Sequence, residues 1–395
     1  VVKMYTCGPT VYHFAHIGNL RTYIMEDVLE KSLRYLGYNV KRVMNITDVG
    51  HLASDADTGE DKMLKGAKRE NKSVMEIAQY YTDAFFADCD KLNIKKPDII
   101  QPATGCIPEF IRMVEGLLEK GFAYVAGGNV YFDTSKLDKY YVFNDHDEED
   151  LGWHIECSGI SMKYLGEDLD IHAGGIDNAF PHHTNEIAQS ESFFGHKWCN
   201  YWFHVHHLNT DDGKMSKSKG EFLTVSLLEE KGYDPMAYRL FCLQSHYRRN
   251  LVFSWENLDN AAVAYQKLIA KIATLKNEGE IDADALVALK ERFVGALNGD
   301  LNTSLAVTAV YDVLKAKTTD ATKIAALKDF DQVLSLNLLE AAETLRKKEE
   351  QEICESADPE IDALVQARTE AKKAKNHAEA HRVCDELKPR GIEII

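Results

Sequence analysis

Lys214-Met215-Ser216-Lys217-Ser218 places two ammonium groups three residues apart on a hydroxyl-rich loop that Gly213 and Gly220 bracket. A loop of this kind can swing over a triphosphate and neutralise the charge that builds as its α-phosphate is attacked. Without partners it would be an ordinary solvated turn. The partners are His13 and His16-Ile17-Gly18-Asn19, at the break between the first apolar segment and the first helical pattern. An imidazole and an amide at a helix start can donate to phosphate oxygens, and the free N–H groups there add to the effect. Gly18 lets a nucleotide approach the backbone closely. Gly174-Gly175-Ile176-Asp177 follows a strand end, where Asp177 could take a ribose hydroxyl. Taken singly, each of these also reads as a helix cap or a plain glycine turn.

A second constellation is Cys7, Cys157, His182 and Glu186. His182 and Glu186 are four apart and can share one helix face. His183 and Glu186, three apart, can do so too, so spacing leaves open which imidazole is used. Two thiolates, an imidazole and a carboxylate suit Zn²⁺. There is no Cys-x-x-Cys pair, and buried cysteines with a capping histidine would also explain these residues.

The elements that must position these groups are legible in the apolar pattern. Val1 to Cys7 reads as a strand broken by Gly8-Pro9-Thr10. A helix follows from Asn19 to Leu36 with Leu20, Tyr23, Ile24, Val28, Leu29 and Leu33 on its buried face, and then a strand from Asn39 to Ile46. This is a βαβ unit of an open parallel sheet, whose binding residues lie beyond the carboxyl ends of the strands. Helices are predicted over Val74–Leu92 and Ile107–Lys120, with a hairpin across Gly127-Gly128-Asn129. A further strand spans Asp168 to Ala173, Gly174-Gly175 reads as a tight turn, and Pro181 sits where the first turn of a helix running to Phe194 wants it. Val225–Glu230 and Pro235–Gln244 look helical. From Asn257 the pattern is all-helical, with helices at 283–297, 303–317, 321–336, 339–350 and 361–387.

These elements divide the chain into six parts. Residues 1–100 and 151–210 are the halves of an α/β, Rossmann-like doubly wound domain, and 101–150 are a connective insertion. Residues 211–256 carry the lysine loop and its helices, 257–352 a helical bundle, and 353–395 a last helix and tail.

The chain has 395 residues, a hydrophobic fraction of 45% and a net charge of −17. The acidic balance disfavours a general nucleic-acid coat protein, although a local basic face would serve a defined RNA. Arg368, Lys372, Lys373, Lys375, Arg382 and Lys388 supply one on the last helix, where plain solvation is the alternative. No apolar run is long enough to span a bilayer. Eight dispersed cysteines exclude a secreted disulfide scaffold and favour cytoplasmic thiols.

His16-Ile17-Gly18-Asn19 with Lys214-Met215-Ser216-Lys217-Ser218 resembles the signature pair of the class I aminoacyl-tRNA synthetases, with Asn19 where that family usually carries histidine. Tyr5-Thr6-Cys7-Gly8, Gly152 to Ser158 and Phe180-Pro181-His182-His183-Thr184-Asn185-Glu186 narrow the resemblance to the cysteinyl-tRNA synthetases. Asn45-Ile46-Thr47-Asp48, His246-Tyr247-Arg248 and Asp300-Leu301-Asn302-Thr303 extend it over nearly the whole chain. The resemblance implies ATP-dependent activation of L-cysteine and its transfer to tRNA(Cys). His16, Asn19, Lys214 and Lys217 would stabilise the transition state, and His13, Gly18, Gly175 and Asp177 would join them around ATP with its Mg²⁺. Gly8, Thr10, Thr47, Trp153 and His172 would surround the amino acid, His172 near its carboxylate. One Zn²⁺ would sit on Cys7, Cys157, His182 and Glu186, the first of the two histidines being the one used. The C-terminal helices would bind the anticodon, and a monomer is expected. The chain opens at Val1 directly in an apolar segment, so residues before it are expected; the family also carries residues beyond Ile395 and some tens of residues between Asp150 and Leu151, including a Trp-Lys segment. Two alternatives stand beside this reading: a ligase of the mycothiol pathway joining cysteine to an amino sugar, and a non-catalytic binding module.

Overall fold

The computed structural model describes residues 1–49, 73–140, 143, 154–210, 213–214, 222–356, 364, 367 and 382, with the side chains of 213, 214 and 352–356 left aside. Lys217, Trp153, the Asp150–Leu151 junction and nearly all of the expected helix at 361–387 lie outside the described residues.

Five strands form a fully parallel sheet: β1 (Val2–Thr6), β2 (Val40–Ile46), β3 (Ile99–Pro102), β6 (Leu169–Gly175) and β7 (Cys199–Val205), in the order β3-β2-β1-β6-β7. The chain winds outward in one direction from β1 and in the other from β6. A crevice therefore opens between the carboxyl ends of these two neighbours, where ligands bind in doubly wound sheets. Cys7 lies at one lip, following β1, and Gly174-Gly175 at the other. Strands β4 (Ala123–Ala126) and β5 (Asn129–Phe132) form the expected hairpin. A small separate sheet joins β8 (Leu208–Thr210), β9 (Gly213–Lys214) and β10 (Leu251–Phe253).

Helix α1 (Ile17–Tyr35) departs from the one-sided pattern read in the sequence. Arg21, Glu26, Asp27 and Glu30 are as buried as Leu20 and Ile24. Each buried charge has a partner, as burial demands. Arg42 of β2 lies 3.3 Å from Glu26 and 3.4 Å from Glu30. Arg239, on α7 (Pro235–Leu243), lies 2.7 Å from Asp27 and donates to the Leu92 and Leu334 carbonyls at 2.8 and 2.7 Å. Arg21 donates to the His207 and Arg249 carbonyls at 2.7 and 2.8 Å, and to that of His206. The other face of the sheet is apolar: Tyr5, Val43, Leu169 and Trp198 pack with Cys157 and Ile160.

Helices α2 (Val74–Lys91), α3 (Ile107–Glu119) and α6 (Val225–Glu230) stand close to their expected ranges, as do α9 (Ala283–Asn298), α10 (Thr303–Lys315), α11 (Asp320–Leu334) and α12 (Leu338–Ser356), and α8 (Trp255–Ala273) opens the all-helical region. Two expectations are corrected. Gly174 and Gly175 end strand β6, and the turn is the 3-10 segment Ile176–Asn178 after them. Pro181 is not in the first turn of a regular helix. The Phe180–Pro181 peptide is cis, Phe180 is extended (φ −142°, ψ 136°), and regular α5 begins at Thr184 and runs to Phe194. Helix α4 (Ile155–Leu165) was not legible in the sequence, nor were β3 and β7.

The chain divides into two compact units. One comprises residues 1–268 and 275–338, and contains all three sheets and the α9–α11 bundle. Within that bundle Phe293 and Phe330 stack 4.1 Å apart. The other comprises 269–274 and 339–395. No described helix is long and apolar enough to cross a membrane, and the six described cysteines are free thiols.

Candidate active site and metal centre

A cavity of about 370 Å³ opens over the carboxyl ends of β1 and β6. Cys7, Gly8, Thr10, His13, His16 and Asn19 line it from the β1 side. Gly174, Gly175 and Asp177 line it from the β6 side, and Gly18 also faces it. Residues expected to serve ATP and the amino acid therefore meet in one place.

His16 is the N-cap of α1, and the cap explains its chemistry. Its Nδ1 accepts the Asn19 backbone N–H at 3.2 Å, while Asn19 Oδ1 accepts the His16 backbone N–H at 3.3 Å. This is a capping box with unusual members. With Nδ1 accepting, a neutral His16 carries its proton on Nε2, where it can be donated. With Oδ1 occupied, Asn19 keeps Nδ2 as a donor. Gly18 is required by the same geometry, because a Cβ there would lie 2.9 Å from the His16 ring. Asp177 Oδ1 stands 3.2 Å from His207 Nε2, so it reaches the cavity already tied to the link between β7 and β8. The side chain of Lys214 lies outside the described residues.

At the cavity wall, Cys7, Cys157, His182 and Glu186 present one ligand atom each, all within 4.8 Å of one another. β1 delivers Cys7, the first turn of α4 delivers Cys157, and the kinked turn and α5 deliver the other two. The kink does not break the i, i+4 relation: His182 Nε2 is 2.7 Å from Glu186 Oε1. A second quartet, Cys7, His172, His183 and Glu186, overlaps the first within the same limit. His183 Nε2 lies 3.4 Å from Cys7 Sγ, and its Nδ1 lies 2.8 Å from His204 Nε2. His172 is wholly buried, with Nε2 2.7 Å from Glu186 Oε2 and its ring stacked 4.8 Å from Trp202. Its Nδ1 is buried without a hydrogen-bond partner among the described residues. His154 closes the cluster, Nδ1 to His182 Nδ1 at 2.6 Å.

Electrostatics fit a cation here. Glu186 Oε1 is close to His182 but out of line for a hydrogen bond, which leaves a buried oxygen unsatisfied. Burial alone would raise the Glu186 pKa, but His172 and His182 outweigh it and hold the carboxyl at about 2. Against its own burial, His182 is pushed well above the usual imidazole range by Glu186 and Cys157. The Cys7 thiol is raised by burial, and the Cys157 thiol by its hydrogen bond with Cys7 and then by burial. The metal-free cluster is thus two thiols beside an imidazolium–carboxylate pair. A bound metal would displace those protons.

Beside the quartet lies a corner in which the sequence pointed to Gly8, Asn45 and Thr47 but not to Glu156. Gly8 N donates to Asn45 Oδ1 at 2.7 Å, Asn45 Nδ2 donates to Glu156 Oε1 at 2.7 Å, and Thr47 Oγ1 donates to the same oxygen at 2.8 Å. Thr47 also forms a parallel bridge with Thr10. Gly8 is compelled here, because a Cβ would lie 1.6 Å from the Asn45 carbonyl oxygen. The only sequence signal for Glu156 was its place next to Cys157.

The chain is similar to known proteins over almost its whole length. A family profile described as "tRNA synthetases class I (C) catalytic domain" matches residues 1–152 and 150–263. The cysteine–tRNA ligase of Treponema denticola is 40% identical, covering 98% of this chain and 92% of its own. That alignment runs over 457 positions, so the relative carries segments with no counterpart in these 395 residues. The Brevibacillus brevis cysteine–tRNA ligase is 39% identical, with 99% and 92% covered. Among solved structures, Mycobacterium tuberculosis methionyl-tRNA synthetase in complex with methionyl-adenylate superposes with a TM-score of 0.58. It is 16% identical, with 86% of this chain and 91% of that one covered, a likeness of fold. With relatives this similar over almost their whole length, the chain belongs to the cysteine–tRNA ligase family of class I aminoacyl-tRNA synthetases.

Proposed function

We propose that this chain activates L-cysteine with ATP to give cysteinyl-adenylate and pyrophosphate, then transfers the cysteine to tRNA(Cys). It would do so as a monomer in the cytoplasm, where its thiols stay reduced. The observation that carries the reading is the adjacency of two chemistries. Cys7 belongs both to the metal-type quartet and to the lining of the cavity that His16 and Asn19 face.

The phosphate end works by positioning and charge. His16 Nε2–H and Asn19 Nδ2–H would meet the triphosphate at the start of α1, where the helix N–H groups add a positive field. Lys214 and Lys217 would complete the set, with Mg²⁺ arriving on ATP. His13, Gly18, Gly175 and Asp177 would hold the nucleotide. The carboxylate of cysteine attacks the α-phosphate directly, so no covalent enzyme intermediate is needed.

The amino-acid end must tell cysteine from serine. An apolar pocket separates such near-isosteres by only about a hundredfold. We assign one zinc ion to Cys7, Cys157, His182 and Glu186, whose donor atoms and spacing suit it. When bound, it supplies a Lewis acid that takes a thiolate in preference to a neutral hydroxyl. Gly8, Thr10, Thr47 and His172, with Trp153, would surround the rest of the amino acid.

The test is cysteine-dependent ATP–pyrophosphate exchange together with charging of tRNA. Lys217→Ala is expected to slow exchange by about 10²–10³-fold, the usual cost of one oriented donor. Exchange within about tenfold of wild type would refute the role of that loop. Absence of any cysteine-dependent exchange in zinc-replete protein would refute the whole reading.

A further inference from the structure

We propose that Glu156 recognises the α-ammonium group of the amino acid, with Thr47 as its partner. The proposal rests on the cysteine reading above and assigns a residue within it.

The argument is one of hydrogen-bond polarity. Asn45 has its amide orientation fixed, because its Oδ1 accepts the Gly8 N–H at 2.7 Å. Its Nδ2 must therefore donate, and it does so to Glu156 Oε1 at 2.7 Å. Thr47 spends its single hydroxyl proton on that same oxygen at 2.8 Å. Thr47 Oγ1 also lies 3.3 Å from Asn45 Nδ2, which occupies one of its lone pairs. What Thr47 can still offer is a second lone pair, an acceptor. Glu156 Oε2 takes no hydrogen bond among the described residues and, unlike Glu186 Oε1, is not sealed from solvent. The corner thus presents two acceptors and no donor. That composition fits a cation with several N–H groups.

Its location makes the cation the substrate's own. Glu156 immediately precedes Cys157, and Gly8, which anchors Asn45, immediately follows Cys7. An amino acid whose sulfur sits among those cysteines carries its ammonium only two carbons from that sulfur. The neighbouring carboxylates are already committed. Asp48 accepts from Thr104 N at 3.0 Å and from Thr104 Oγ1 at 2.5 Å. Glu186 Oε2 is bonded to His172 at 2.7 Å, and Glu186 Oε1, though unsatisfied, is sealed from solvent beside His182. Glu156 alone, among the described carboxylates of this cluster, keeps an oxygen open. Its backbone is held by the first turn of α4, and Thr47 is held by Val11 N to Thr47 O at 3.2 Å and Thr47 N to Pro9 O at 3.1 Å.

The test compares two thiols by calorimetry on the zinc-loaded protein. L-Cysteine carries the ammonium; 3-mercaptopropionate has the same thiol and carboxylate without it. Wild type is expected to bind cysteine at least about a hundredfold more tightly. In Glu156→Gln, cysteine is expected to weaken at least tenfold while 3-mercaptopropionate is unchanged or tighter and zinc stays at one per chain. If both ligands weaken together, Glu156 is merely structural and the proposal is overturned. If neither changes, it is overturned as well. Should Glu156→Gln lose zinc, Glu156→Asp decides: it keeps the charge and is expected to retain the preference for cysteine, and loss of that preference with zinc in place contradicts the proposal. A wild-type protein that binds neither thiol would refute the cysteine reading itself, a result distinct from each of these.

Discussion

His182 and Glu186 illustrate what single residues disclose. Their four-residue spacing was legible, and so were Cys7 and Cys157, because thiols and imidazoles are few and their chemistry is narrow. The choice between His182 and His183 was not legible, since both lie within one turn of Glu186. In the fold each imidazole meets its own thiol, His182 near Cys157 at 3.5 Å and His183 near Cys7 at 3.4 Å. Glu156 was invisible as a functional residue because its partners are 109 and 111 positions away. Two outcomes follow at this scale. Gly8→Ala sets a methyl against the Asn45 carbonyl, and overpacking of this kind costs about 1–3 kcal/mol or more. A lowered midpoint in urea, with loss of exchange, is expected; an unchanged midpoint would contradict the contact. Glu186 has a folded pKa of about 2, below its ordinary 4.5. Its contribution is therefore present above pH about 4.5 and lost as the pH falls toward 2. In metal-free protein this amounts to at most about 3 kcal/mol. Glu186→Gln should flatten that acid limb, measured as unfolding free energy against pH.

At the scale of elements, α1 is the part on which the site depends. Its first turn is the capping box of His16 and Asn19, its middle is clamped by Asp27–Arg239, and its last turn meets Asp329 through the Tyr35 hydroxyl at 2.5 Å. The apolar stripe in the sequence revealed the helix but not its full burial, because charges that are paired inside look like charges in water. Arg239→Met would leave Asp27 with Lys31 (2.7 Å) and the Lys95 backbone N–H (2.7 Å), and is expected to cost about 3–5 kcal/mol. Arg239→Met together with Asp27→Leu should recover much of the loss, and failure to recover would contradict the pairing. The element missed most instructively is α4. Ser158, Gly159 and Ser161 are poor helix formers, and Gly159 is there because a Cβ would lie 2.6 Å from the Phe110 ring. Tertiary packing selects against local propensity at that position. Strand β3 is only four residues long and ends in Pro102, so its parallel pairing with β2 leaves little pattern to read.

Across the whole molecule, the sheet order β3-β2-β1-β6-β7 brings residues from 7 to 186 into one crevice. Long-range closure of this kind is what sequence periodicity cannot express and what family resemblance supplied. The net charge of −17 means that a tRNA partner must be held by a local basic face against an unfavourable overall field. Raising salt from about 50 to about 200 mM is expected to raise the KM for tRNA in charging while leaving the cysteine KM in exchange nearly unchanged. Equal sensitivity of both would contradict a separate tRNA face. The central claim is that two thiolates, an imidazole and a carboxylate hold a metal that reads the substrate sulfur. X-ray absorption at the zinc edge tests it most directly. Two sulfur ligands are predicted without substrate, three after L-cysteine, and two after L-serine; a sulfur count that L-cysteine leaves unchanged would contradict it.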